Sequence, residues 1–120
     1  MSATNCPYCD FDEYDVIAKN DFGVVLPESR PLSKGHCVII PLRHTSSFFD
    51  VTDKERKSLL SLLELARNEL QLRHQPTGFH VSFNDGAVFD DVNEHLHIHI
   101  IPHYKDKTLT LDQRWGMSAP

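Results

Sequence analysis

The sequence lacks the features that mark several large classes of protein. Its formal net charge of −5 at pH 7 gives no positive field, so neither a nucleic acid polymer nor an anionic membrane surface is an expected partner. No apolar run is long enough to cross a bilayer. Residues 1–5 have neither the basic region nor the apolar region of a secretory signal. The three cysteines are an odd number, which does not suit a disulfide framework. These absences together predict a cytoplasmic protein.

The rest of the composition is that of an ordinary globular domain. The chain has 120 residues, of which 40% are hydrophobic and 24% are charged, and this is enough for one real core. It contains no internal repeat, low-complexity segment or interdomain linker. We therefore expect a single domain over residues 1–120.

A row of histidines organises the chain. Residues 95–102 alternate histidine with aliphatic residues and end at a proline, which is the period of a β-strand. His95, His97 and His99 then share one face, at intervals of roughly 6.5–7 Å. Three imidazoles at this spacing suit an extended anion such as a phosphate chain, or they surround one metal ion. An ordinary strand with a polar outer face is the remaining interpretation.

A second motif, Cys6-Pro7-Tyr8-Cys9, stands near the start of the sequence. Two thiolates at this spacing can hold one zinc ion, which then needs two further ligands. A thioredoxin-like redox site is disfavoured, because nothing upstream can form the strand that precedes such a motif. The alternative is a pair of ordinary thiols near a frayed terminus.

The remaining periodicity predicts one long helix and four further strands. Thr52 and Glu55 form a capping box, and an apolar stripe follows it, so a helix is expected over 53–73. The stripe comprises Leu59, Leu62, Leu63, Ala66 and Leu70. Strands are expected near 16–18, 22–26, 37–40 and 79–83, and a loop or arm over 104–120 that carries Trp115.

These motifs, in this order, resemble the histidine triad (HIT) family of nucleotide hydrolases and transferases, in a zinc-bearing bacterial-type form. The triad His95-x-His97-x-His99 is preceded by Pro41-x-x-His44 after a strand, and by Asn84-Asp85-Gly86 eleven residues before the first triad histidine. The resemblance covers a core of about 6–103. It implies an α+β fold, in which one long helix packs on a five-stranded antiparallel sheet, and a two-fold homodimer. Leu60, Leu65 and Leu72, off the main helix stripe, fit such a contact.

The resemblance also implies a reaction. His97 would attack the α-phosphorus of a nucleoside phosphoester, phosphoramidate or dinucleoside polyphosphate, giving a nucleotidyl-histidine that water hydrolyses. His99 would donate to phosphate oxygens, with Asn84 at the phosphate end, Glu28 on a ribose hydroxyl, and His95 completing the triad. The base would lie between aliphatic residues of the early strands.

By the same resemblance, Cys6, Cys9, His44 and His95 would hold a structural zinc ion, and no organic cofactor is expected. Four other histidines match no ligand position and are interpreted as surface or strand residues: His36, His74, His80 and His103.

One segment departs from the family pattern. Asp90-Asp91-Val92-Asn93 stands where most members have Gly-Gln-Ser/Thr-Val, so two carboxylates replace neutral phosphate-facing groups, and Asn93 is the remaining candidate donor. Charge repulsion predicts weaker binding of polyphosphates than of ligands with one phosphate. Two other functions therefore stay open: a non-catalytic nucleotide-binding protein, and a metalloenzyme with its catalytic metal on the three triad histidines.

Overall fold

The computed structural model describes residues 6–86, 88 and 94–105. Five strands form one antiparallel sheet in the order β1-β2-β3-β5-β4, and one long helix packs on it, which confirms the predicted α+β fold. A 3₁₀ helix at Glu13–Asp15 precedes β1 (Ala18–Lys19), β2 (Gly23–Pro27), β3 (Cys37–Pro41), α1 (Asp53–His74), β4 (Gly78–Ser82) and β5 (Ile98–His103).

The long helix begins and ends where its sequence signals stand. The Thr52 side chain accepts from the Glu55 amide, while the Glu55 carboxylate accepts from the Thr52 amide, so the predicted capping box is present. The helix ends one residue beyond the prediction, at His74, and Gln75 follows it in the left-handed conformation with φ 47°. Within the described residues, this and every other helix is too short or too polar to span a membrane.

The two faces of the sheet are covered differently. On one face, Leu96, Ile98 and Ile100 join the stripe of α1 in the main core, as the strand alternation predicts. On the other face, four buried aliphatic residues of β2 and β3 form a smaller apolar patch: Val24, Leu26, Val38 and Ile40. The N-terminal segment packs against that patch through Tyr8, Phe11 and Val16. The histidines of the triad lie on this second face.

The histidine strand starts later than predicted. Ladder pairing of β5 with β3 begins at Ile98, opposite Ile39, so His95, Leu96 and His97 precede the strand. Pro41 has no amide hydrogen to donate, and its carbonyl accepts from the His95 side chain at 2.8 Å. The Leu96 amide donates to the Thr45 carbonyl at 2.6 Å instead. The backbone therefore leaves the sheet at the first two histidines, which frees their side chains for other partners.

The start of β3 depends on a glycine. Gly35 has φ +90°, and a Cβ atom there would lie 2.7 Å from Leu70 Cδ2, so a larger residue would be strained and would collide with α1. This turn sets the position of His36 immediately before the strand. The predicted arm lies outside the described residues apart from Tyr104 and Lys105, and so does Trp115.

Candidate active site

The hydrogen bond of the middle histidine of the triad determines which of its ring nitrogens carries the lone pair. His97 Nδ1 lies 2.9 Å from the carbonyl oxygen of His95. A carbonyl can only accept, so Nδ1 carries the hydrogen, and in the neutral imidazole Nε2 carries the lone pair. His97 is half-buried. Its Nε2 therefore has the lone pair that a nucleophile needs.

The third histidine has the opposite tautomer, and a fourth histidine sets it. The Leu32 amide donates to His36 Nδ1 at 3.1 Å, so His36 Nε2 carries a hydrogen. That hydrogen is donated to His99 Nδ1, at 2.9 Å between the nitrogens. His99 therefore carries its own hydrogen on Nε2, where it can be donated to an anion.

Both members of this pair are kept neutral by their surroundings. Burial lowers the pKa of His36 to about 4. Burial, together with the nearby His97, His36 and His80, lowers the pKa of His99 to about 3. Near neutral pH the pair is therefore uncharged, which is the state that the tautomer assignment requires.

The assignment of His36 to the surface or an ordinary strand position is wrong. Its exposed fraction is 4%, and it contacts His99 directly. The signal was present in the alternation, since His36, Val38 and Ile40 share a face, and Val38 is paired with His99. Recognising it required knowing that β3 and β5 are neighbours, which periodicity alone does not give.

Four side chains near the N-terminal turn form a compact donor cluster: Cys6, Cys9, His44 and His95, whose candidate ligand atoms all lie within 4.8 Å of one another. With ordinary zinc bond lengths, tetrahedral coordination places sulfur and nitrogen ligands about 3.5–3.6 Å apart. His95 Nδ1 lies 3.5 Å from Cys6 Sγ and 3.6 Å from Cys9 Sγ, while His44 Nδ1 lies 3.1 Å from Cys9 Sγ. Two thiols and two imidazoles in this arrangement fit zinc.

His95 is prepared for this cluster by its outer hydrogen bond. Its Nε2 donates to the Pro41 carbonyl at 2.8 Å, so the lone pair sits on Nδ1 and faces the thiols. Burial lowers the pKa of His95 and so favours the neutral form that a metal ligand needs. In the described part of the chain, the one cluster suited to a metal combines His95 with the cysteines and His44. A metal shared by all three triad histidines has no support from these ring orientations.

The loop that carries His44 is tied at both ends. Arg43 donates to both carboxylate oxygens of Glu55, at 3.0 and 2.9 Å, and this pair lowers the pKa of Glu55 to about 2. Further along, Asp85 accepts from the Ser47 hydroxyl and the Phe48 amide. The loop is thereby held between the start of α1 and the turn after β4.

Two side chains lie beside the nucleophile. The Tyr8 ring stacks on the His97 ring, with centroids 5.0 Å apart and an interplanar angle of 30°. Glu28, half-buried after β2, lies close enough for the charge of His97 to offset part of the rise in its pKa that burial causes. Sequence analysis identified Glu28 and missed Tyr8, which stood inside a motif interpreted as a metal site.

The remaining predicted ligand residues lie elsewhere. Asn84 follows β4 and lines an open cleft of about 470 Å³ on the helix side, together with Phe48, Leu60 and Phe83 among others. Its approach to a phosphate remains a prediction. Asn93, Asp90 and Asp91 fall outside the described residues.

Two curated proteins are similar to this chain in sequence. The chain is 28% identical over 117 residues to an AP-4-A phosphorylase of Mycobacterium tuberculosis, covering 97% of this chain and 54% of the relative. It is 31% identical over 91 residues to a bis(5'-adenosyl)-triphosphatase of Saccharomyces cerevisiae, covering 75% and 44% respectively. The chain thus spans about half the length of these two curated relatives.

The fold has a close counterpart among solved structures. A HIT family protein from Bacillus anthracis superimposes with a TM-score of 0.75 at 21% identity, over 93% of this chain and 86% of that chain. The family model described as the HIT domain matches residues 12–106. Since that match takes in most of the sequence, including the triad, the chain belongs to the HIT family.

Proposed function

We propose that the chain is a nucleotide hydrolase or nucleotidyl transferase that acts at the α-phosphorus of nucleoside phosphoesters, phosphoramidates or dinucleoside polyphosphates. The observation that carries this proposal is the pair of opposite tautomers on one face: a lone pair on His97 Nε2 and a hydrogen on His99 Nε2. A nucleophile beside a neutral donor is what displacement at a phosphate requires. The names of the two curated relatives support dinucleoside polyphosphates as a substrate class.

In the proposed first step, His97 Nε2 forms a bond to phosphorus while the bond from phosphorus to the leaving oxygen or nitrogen breaks. The leaving group takes up a proton from solvent, and the His99 hydrogen stabilises charge on the phosphate oxygens. In the second step, water or another acceptor attacks phosphorus and the nitrogen–phosphorus bond breaks. A nucleoside monophosphate, or its transfer product, is released.

Nucleoside recognition is proposed on the same face. The base would lie between aliphatic residues of the early strands, outside the patch of Val24, Leu26, Val38 and Ile40, which is buried under the N-terminal segment. Glu28 would accept from a ribose hydroxyl, and Asn93 would donate near the phosphates. Asn84, which lines the cleft on the helix side, is proposed to reach the phosphates from beyond the end of β4.

A substrate panel tests the proposal. The purified chain is incubated with several nucleoside phosphoramidates and dinucleoside polyphosphates, beside His97→Ala and the matched control His74→Ala, and products are analysed. Release of a nucleoside monophosphate by the parent and by His74→Ala, with none above background from His97→Ala, supports the proposal. Binding without turnover by any form would instead favour a non-catalytic nucleotide-binding protein.

We also propose that the cluster of Cys6, Cys9, His44 and His95 holds one structural zinc ion per chain. When bound, zinc would supply coordination that ties the N-terminal turn to the residue before the nucleophile. Metal analysis of the purified protein should give about one zinc per chain, and chelation should lower the melting temperature. A metal-free preparation with an unchanged melting temperature would contradict this.

A homodimer is proposed on the surface of α1 and β4. Leu60, Leu65 and Leu72 are exposed by 50%, 45% and 73%, and Val81 by 47% on β4, an edge strand of the sheet. Light scattering at micromolar concentration should give twice the monomer mass. A single-domain protein over residues 1–120 and a cytoplasmic location also remain proposals, the latter resting on cysteine usage.

A further inference from the structure

The N-terminal turn joins the donor cluster of Cys6, Cys9, His44 and His95, here called the metal cluster, to the nucleophile. The Cys9 and Asp10 amides both donate to the Cys6 carbonyl, at 3.1 and 3.3 Å, which closes a tight turn. Cys6 and Cys9 point into the cluster, and Tyr8 between them stacks on His97. Because Tyr8 lies between the two thiols in this turn, coordination of the thiols would fix the backbone from which the Tyr8 ring extends.

Tyr8 covers the face of the imidazole and leaves the attacking atom open. The two rings are stacked with 30° between their planes, whereas the lone pair of Nε2 points outward in the ring plane. Stacking therefore restricts rotation of the His97 ring without blocking a phosphate that approaches Nε2. On its other side, Tyr8 packs against the apolar patch of β2 and β3. The ring thus borders both the nucleophile and the buried apolar patch.

A second connection runs through the backbone. The carbonyl of His95 accepts the hydrogen of His97 Nδ1, and the His95 side chain is itself a member of the metal cluster. His97 thus contacts Tyr8 and His95, and each of these is a member of the metal cluster or stands between two of its members.

The segment that carries the turn is held by several kinds of contact. The described backbone hydrogen bonds of residues 6–16 stay within that segment, and the first bond to the sheet is donated by Ile17 to Val25. Side chains add an ion pair of Lys19 with Glu13 and packing of Tyr8, Phe11 and Val16 on the apolar patch. Coordination of Cys6 and Cys9 would add a directional constraint on both sides of Tyr8.

We propose that Tyr8 is a positioning residue that couples the metal cluster to the nucleotide site. Metal binding holds Tyr8 on His97 and orders the site, and a nucleotide at His97 in turn strengthens metal binding. The inference rests on the proposed function for the identity of the ligand. Coupling of this kind is reciprocal, so each ligand must change the affinity of the other by the same factor.

Zinc affinity of the full chain, measured by competition with a chelating dye, tests the coupling. AMP should raise zinc affinity about tenfold in the parent protein, which is an ordinary coupling factor. Tyr8→Phe should retain the effect because it keeps the ring, and Tyr8→Ala should lose it. Tyr14→Ala is the matched control, since Tyr14 is 98% exposed on the same segment. Equal zinc affinity with and without AMP in a parent protein that binds AMP, or an effect that survives in Tyr8→Ala, overturns the proposal.

A second measurement does not depend on nucleotide. In the zinc-loaded protein, NMR should show proton contacts between the Tyr8 and His97 rings. Chelation should remove these contacts while those between Leu59 and the sheet persist. Persistence of the ring contacts after metal removal overturns the coupling. If AMP fails to bind the zinc-loaded parent, the proposed function fails, and this measurement still decides the role of Tyr8.

Discussion

The two faces of the sheet use different kinds of interaction. On the helix face, Leu96, Ile98 and Ile100 pack against α1, and the contacts are apolar and non-directional. On the opposite face, the imidazoles of His95, His97 and His99 each have a directional partner that fixes which nitrogen carries the hydrogen. The helix face should therefore contribute most of the apolar burial that stabilises the chain, and His97 on the other face should determine the chemistry. Substitutions on the two faces should separate stability from turnover.

The largest expected effect is on the histidine face. His97→Ala should lower turnover at least ~10³-fold, because it removes the atom that forms the covalent bond, a loss of ~4 kcal/mol of transition-state stabilisation. The melting temperature should stay within a few degrees, since His97 is only half-buried. Steady-state assays and thermal unfolding of the same preparation measure the turnover and the melting temperature. Near-normal turnover would show that His97 is not the nucleophile.

The next effect is on the helix face. Leu59 is 0% exposed in the main core, so Leu59→Ala should cost about 3 kcal/mol of unfolding free energy through lost burial and a residual cavity. Turnover per folded molecule should change less than twofold. Denaturant unfolding gives the free energy of unfolding, and an assay normalised by active-site titration gives the turnover per folded molecule. A loss of turnover comparable to that of His97→Ala, in a fully folded sample, would remove the distinction between the faces.

The helix face could be predicted almost entirely from the sequence. A capping box, a stripe at helical spacing and a strict alternation of aliphatic residues each report a local preference. Each agreed with burial in the fold, as shown by Thr52 at the helix start and Ile98 in the core. Local signals suffice there because apolar contacts need the right face and little else.

The histidine face could be predicted only in part. The triad was evident, and the four cluster residues were correctly grouped from the resemblance. The role of His36 was missed because its partner His99 lies 63 residues away, and only the pairing of β3 with β5 brings them together. Tyr8 was missed because its stacking depends on how the N-terminal turn folds over the sheet. Directional contacts between segments far apart in the chain produce no repeating pattern in the sequence.

The pH dependence of the unfolding free energy tests how much His36, on the histidine face, contributes to stability. Burial lowers its folded pKa from 6.5 to about 4, so the unfolded chain binds a proton more readily than the folded chain. This contribution to stability is fully present above pH 6.5 and is lost as pH falls toward 4. The loss of unfolding free energy is on the order of 2 kcal/mol at pH 5.

Unfolding free energies between pH 7 and 5 test this for the parent and His36→Ala. The variant should show a shallower decline, because one of the shifted histidines is gone. Parallel curves would mean that His36 is not held neutral by burial.

A smaller effect is expected on turnover when the donor to His99 is removed. His36→Ala should lower turnover about tenfold, since His99 then loses the hydrogen bond that fixes its hydrogen on Nε2, a change of ~1.4 kcal/mol. His36→Gln, which keeps a donor near the same place, should retain most of the activity. Equal losses for the two variants would argue for packing rather than tautomer control.

An effect of similar size is expected at the departure from the family pattern. Asp90→Gly combined with Asp91→Gln should improve polyphosphate binding by about tenfold, because the resemblance predicts that these two carboxylates face the phosphates and repel them. Affinity for a nucleoside monophosphate should change less. Calorimetric titration of both forms with AMP and a dinucleoside tetraphosphate gives the ratio. An unchanged ratio would show that the two carboxylates do not face the ligand.

Trapping the covalent intermediate tests most directly whether His97 is the nucleophile. The protein is mixed with a nucleoside phosphoramidate and quenched in denaturant at alkaline pH during turnover, because nitrogen–phosphorus bonds to histidine are labile in acid. It is then digested and sequenced by mass spectrometry. The tautomer of His97, fixed by the His95 carbonyl at 2.9 Å, predicts one nucleotidyl group per chain, on His97 and absent from His97→Ala. Turnover that proceeds with no nucleotidyl adduct, or with an adduct on another residue, would contradict this mechanism.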